Sequence, residues 1–105
     1  MSLQWADVGS VDEVSESMPL AVFVNGVALI VVRCGDALYA VDNMCTHDGE
    51  TLGEAQVEDC QVICPRHGAH FCLKTGAALT PPAYEPLRTY PARLDQGRVL
   101  VELPA

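Results

Sequence analysis

Two short stretches carry the chemistry of this chain. Cys45-Thr46-His47 and Cys64-Pro65-Arg66-His67 each put a thiol and an imidazole within one tight turn. Sixteen residues separate His47 from Cys64, enough for a hairpin that brings the two turns face to face. Thiolates are soft ligands that suit iron with inorganic sulfide, and imidazole suits zinc, copper, iron or nickel. Four such ligands can make a tetrahedral zinc site. They can also divide between two irons, with Cys45 and Cys64 on one and His47 and His67 on the other. The order of the ligands bears on the choice. Zinc fingers usually place Cys with Cys and His with His, whereas this chain alternates them.

Mixed ligation of that kind defines the Rieske [2Fe–2S] centre, in which two histidines replace two cysteines on one iron. The stretch 45–83 resembles a Rieske domain: C-x-H, a spacer, C-P-x-H-G, then Pro81-Pro82. The resemblance implies that Cys45, His47, Cys64 and His67 hold one [2Fe–2S] cluster. It implies a histidine edge at the tip of the domain, a deeper cysteine-bound iron, and a third loop at Thr80-Pro81-Pro82-Ala83 covering the cluster. Gly49 and Gly68 would let backbone N–H groups come close to the sulfurs. His70 matches a family position that does not ligate iron and is read as structural. Trp5, Tyr39, Tyr84 and Tyr90 are read as packing residues.

The flanking residues depart from the respiratory members of the family, which look like C-T-H-L-G-C and C-P-C-H-G-S-H-Y. Here the sequences are C-T-H-D-G-E and C-P-R-H-G-A-H-F. Glu50 and Arg66 stand where that group has a disulfide, and they could pair across the loops. Ala69 and Phe71 replace a serine and a tyrosine. Fewer donors, with acidic Asp48 and Glu50 nearby, predict a potential near the low end of the Rieske range of about −150 to +300 mV.

The elements that must position these ligands are strands. The β-prone runs 21–24 and 27–32 are joined by Asn25-Gly26, which suits a type I′ hairpin turn. Cys34-Gly35-Asp36 leads to a strand over 37–41. The runs 87–94 and 98–103 flank Asp95-Gln96-Gly97, and a short hairpin spans 57–63 around Glu58-Asp59. Dense short strands predict an all-β antiparallel sandwich. The expected layout is a single domain over 1–105. Its base is 1–42 and 84–105, and a cluster-binding subdomain, 43–83, is inserted.

Composition removes several functions. Lys and Arg number 6 against 14 Asp and Glu, a net charge of −8. Nucleic acid binding, which needs a basic surface, is disfavoured. No apolar run is long enough to span a membrane. The start of the chain lacks the basic and apolar regions of a signal peptide, so a cytoplasmic protein is expected. Of five cysteines, Cys34, Cys60 and Cys72 are left over, and they are read as small strand residues without a disulfide framework.

With both motif histidines spent on the cluster, only His70 remains, too few for the 2-His-1-carboxylate site of an oxygenase. The chain is therefore expected not to be an enzyme by itself. It resembles, over its whole length, the soluble ferredoxins of bacterial aromatic-ring-hydroxylating dioxygenase systems. That resemblance implies a monomer carrying single electrons from a flavin-containing ferredoxin reductase to a terminal oxygenase. A small Rieske subunit of a nitrite reductase or of a multicomponent monooxygenase is the alternative.

Overall fold

A computed structural model describes residues 3–46, 49–53, 55–66 and 68–104. Among the described residues ten strands carry the fold: β1 (Leu3–Ser10), β2 (Leu20–Val24), β3 (Val27–Cys34), β4 (Ala37–Asp42), β5 (Gln56–Glu58), β6 (Gln61–Ile63), β7 (His70–Cys72), β8 (Thr89–Tyr90), β9 (Ala92–Asp95) and β10 (Arg98–Pro104). They form three antiparallel sheets, ordered β1-β10-β9, β2-β3-β4-β8 and β5-β6-β7. The all-β antiparallel expectation holds.

The hairpin turns follow from local chemistry. Asn25 and Gly26 both have positive φ, 51° and 78°, and join β2 to β3. Gln96 and Gly97 do the same between β9 and β10, with φ of 51° and 79°. Positive φ at both central residues gives the turn whose twist matches the strands. The 57–63 hairpin turns one residue later than expected, at Asp59-Cys60, because Glu58 pairs with Gln61. Cys60 therefore lies in a turn, not on a strand.

Two further differences concern the ends of the chain. β1 carries no clear alternation and has no buried residue, so its sequence gives no strand signal. It is held by pairing with β10 along its length and by two hydrogen bonds of 2.9 Å from Arg98 to Asp7. The expected strand over 87–94 is split at Pro91. Proline has no N–H for a ladder, and here the chain changes sheets: β8 pairs with β4, and β9 with β10.

The four-stranded sheet lies between two cores. Along β3, Leu29 and Val31 join Ala40, Tyr90, Val99, Val101 and Leu103 in one apolar cluster. Ile30 and Val32 join Val41, Leu52, Val62, Phe71, Leu73 and Leu87 in the other. Successive strand residues face opposite sides, so a strand covered on both sides reads as a continuous apolar run. Each side chain of this size contributes roughly 1.5–3 kcal/mol when fully buried. The second cluster also contains Cys45 and Cys64.

Candidate metal centre

Cys45 follows β4, and Cys64 follows β6. Their loops share one backbone pattern. The Cys45 N–H donates to the Glu50 carbonyl at 2.8 Å, and the Gly49 N–H to the Cys45 carbonyl at 2.7 Å. In the other loop the Cys64 N–H donates to the Ala69 carbonyl at 2.8 Å, and the Gly68 N–H to the Cys64 carbonyl at 2.9 Å. Each is a four-residue loop ending in a glycine, with φ of 75° at Gly49 and 71° at Gly68. Glycine occupies that conformation without the steric cost that a Cβ brings.

The same pattern occurs a third time. The Gly76 N–H donates to the Cys72 carbonyl and the Cys72 N–H to the Ala77 carbonyl, with φ of 79° at Gly76. The signal was present in the sequence as C-x-x-x-G at 45, 64 and 72. At this third loop a Cβ on Gly76 would meet the Leu87 carbonyl oxygen at 2.1 Å, so close packing as well as φ requires glycine. The Thr75 hydroxyl, helped by the Thr75 and Lys74 amides, holds the Cys72 thiol below its ordinary pKa.

Both Cys45 and Cys64 are wholly buried, and neither is in a disulfide. They share their apolar cluster with Leu52, Ala69, Phe71 and Ala83. His47 and His67, the other expected ligands, lie outside the described residues, as does Asp48. A pair of buried thiols on matched loops suits soft, sulfide-bearing iron, so the described half of the donor set fits the expected cluster.

Cross-links hold the loops. Arg66 Nη1 donates to the Thr51 carbonyl at 3.1 Å, joining the second loop to the first. The Leu52 N–H donates to Asn43 Oδ1 at 2.6 Å across the first loop. The Thr46 hydroxyl donates to the Glu85 carbonyl at 2.6 Å, tying the first loop to the segment after Pro82. On the other side of Pro81-Pro82, Thr80 is fixed to β7, because the His70 N–H donates to the Thr80 hydroxyl at 2.9 Å. His70 itself has Nδ1 2.8 Å from Gln61 Oε1.

Two readings of side chains need correction. Tyr84 is not a packing residue: it is 82% exposed and shares a shallow cleft with exposed Leu79. Cys34 and Cys60 are joined in a disulfide, with Cα atoms 5.6 Å apart. The sequence offered no sign of that bond, because it depends on two turns from different sheets meeting in space. Of the other aromatic residues, Tyr90 is buried, and Trp5 stacks under the Arg93 guanidinium at 4.3 Å.

Residues 4–91 match the model of the Rieske [2Fe–2S] domain. The chain belongs to the Rieske [2Fe–2S] domain family. Its cofactor is accordingly a [2Fe–2S] cluster. The ferredoxin subunit of anthranilate 1,2-dioxygenase from Burkholderia cepacia is 37% identical over 100 residues, covering 95% of this Rieske chain and 93% of the relative. Among solved structures, the ferredoxin of Sphingomonas yanoikuyae B1 superposes with a TM-score of 0.90 at 30% identity. That match covers 96% of this chain and 100% of the other. A chain from the complex of reduced oxygenase and oxidised ferredoxin in carbazole 1,9a-dioxygenase gives a TM-score of 0.84 at 30% identity, covering 92% and 91%.

Proposed function

We propose that this protein is the soluble, cytoplasmic ferredoxin component of an aromatic-ring dioxygenase system. It takes single electrons from a flavin-containing ferredoxin reductase and delivers them to the terminal oxygenase, with no catalysis of its own. The observation that carries this reading is the pair of matched Cys45 and Cys64 loops buried in one core, on a chain that aligns with dioxygenase ferredoxins along nearly its whole length. The cluster, when bound, supplies a centre that accepts and releases one electron.

We assign Cys45 and Cys64 to one iron and His47 and His67 to the other. The segment 43–83 is then the cluster-binding part, set on a base of 1–42 and 84–105. The chain's own residues have distinct tasks. The apolar cluster around Cys45 and Cys64 excludes water from the thiolate side. The bonds donated by Arg66 and Thr46, and the one Thr80 accepts from His70, limit loop movement, so little reorganisation accompanies a change of charge. Met44, Leu79 and Tyr84 are exposed apolar side chains on the segments flanking the loops, and they suit a docking rim for the oxygenase. The net charge of −8 would speed encounter with a basic patch.

The test begins with purified protein. It should be red-brown, contain iron and acid-labile sulfide, and take up one electron per chain in a reductive titration. Reconstitution with a reductase and oxygenase should then support turnover. Cys64→Ala should lose the cluster, while His67→Cys should retain one of lower potential and altered EPR spectrum. A colourless zinc protein would overturn the reading.

A further inference from the structure

The Cys34–Cys60 bond joins two sheets that no backbone ladder connects among the described residues. Cys34 ends β3 in the four-stranded sheet, and Cys60 sits in the β5–β6 turn of the three-stranded one. Cys60 has φ of 59° and follows Asp59 at 50°. A side chain in that region is sterically disfavoured and glycine is the usual occupant. A cysteine there carries a local cost, and the bond to Cys34 is what its sulfur contributes in return. The Leu73 N–H also donates to the Cys60 carbonyl at 3.0 Å, coupling this turn to the residue after β7.

The bond is accessible as well as structural. Both cysteines are half-buried, and they line an open cleft of about 300 Å³ with Glu16, Arg33, Val57 and Asp59. The Arg33 guanidinium, whose Nε donates to the Gly35 carbonyl at 3.1 Å, lines that cleft together with the Glu16 and Asp59 carboxylates.

We infer that Cys34–Cys60 is a reversible thiol–disulfide exchange site, taking a dithiol as its reductant, and that it clamps the cluster-bearing sheet to the base. One thiolate of the dithiol attacks a protein sulfur, forming a mixed disulfide and releasing the other cysteine as a thiolate. The second thiolate of the dithiol then attacks the mixed disulfide and leaves as part of the oxidised reductant. Two electrons and two protons reach Cys34 and Cys60, and the dithiol becomes a disulfide. Opening the bond frees a loop of 26 residues that includes Cys45, so the disordered state gains conformations and the fold loses stability.

The clamp rests on the proposed cluster for only one of its three readouts, the visible chromophore. Alkylation of the holoprotein without reductant, followed by mass spectrometry, should leave Cys34 and Cys60 unmodified. Dithiothreitol should make both reactive, lower the melting temperature by about 10 °C or more, and shorten the half-life of the visible chromophore on mild heating about tenfold or more. Cys34→Ala should do the same without dithiothreitol. Cys60→Gly, which suits the positive φ, should also do so, and that separates loss of the bond from turn strain. The double variant should be no worse than either single one. Alkylation of both cysteines in the untreated protein would overturn the inference, as would a Cys34→Ala variant that melts and bleaches like the parent. Absence of a chromophore with the bond intact would instead count against the proposed function alone.

Discussion

The Thr46 hydroxyl reaches the Glu85 carbonyl, 39 residues along the chain, in a hydrogen bond of 2.6 Å. This bond ties the first cluster loop to the segment that follows Pro82, and it depends on the hydroxyl alone. Thr46→Val keeps the shape and removes the donor. A net hydrogen bond of about 1 kcal/mol is lost, which corresponds to a fall of about 5 °C in melting temperature for a domain of this size. Calorimetry on the holoprotein checks it, and Thr46→Ser should restore most of the loss.

Ala69 and Phe71 are wholly buried in the apolar cluster that holds Cys45 and Cys64. A methyl and a phenyl ring offer no donor to a reduced, more negative centre. Ala69→Ser combined with Phe71→Tyr should raise the reduction potential. A new hydrogen bond of about 1–1.5 kcal/mol to the reduced form is about 45–65 mV for one electron. Protein-film voltammetry of parent and variant measures the difference, and an unchanged or lower value would refute the argument.

Tyr84 separates docking from redox chemistry. Its ring is 82% exposed, so its removal costs the isolated protein little. Tyr84→Ser should weaken association with the terminal oxygenase about tenfold, as expected for an aromatic anchor at an interface. The potential and melting temperature should stay at parental values. Stopped-flow electron delivery at varied oxygenase concentration gives the comparison.

Tyr90 gives the protein an alkaline limit. Burial first, then the hydrogen bond to Asp42 and its charge, push its pKa up to about 12. The folded state thus holds the phenol proton more tightly than the unfolded chain, whose tyrosine titrates near 10. That contribution is complete below about pH 10 and is lost as pH rises from about 10 through 12. Chemical denaturation between pH 9 and pH 12 should show this decline, and Tyr90→Phe should flatten it.

Where local chemistry decides conformation, the sequence was readable. Asn25-Gly26 and Gly97 mark their hairpins because asparagine and glycine accept the positive φ such turns need. The Cys45 and Cys64 loops were visible because ligand types and glycines recur at short spacing. β1 was not visible, since its pairing with β10 joins opposite ends of the chain. Pro91 was in plain view, but its role in passing the chain between sheets emerges only when β4 and β10 compete for the flanking residues. The Cys34–Cys60 bond was hidden for a similar reason: a spacing of 26 residues says nothing about which turns meet.

β3 serves as a party wall. Leu29 and Val31 support one room of the molecule, Ile30 and Val32 the other, and neither room can be emptied without disturbing the wall. Amide hydrogens along β3 should therefore exchange only through global opening, whichever side a residue faces. Damage far from the iron would reach it by this route: loosening the Val31–Val99–Leu103 side would show first as a protein that fades.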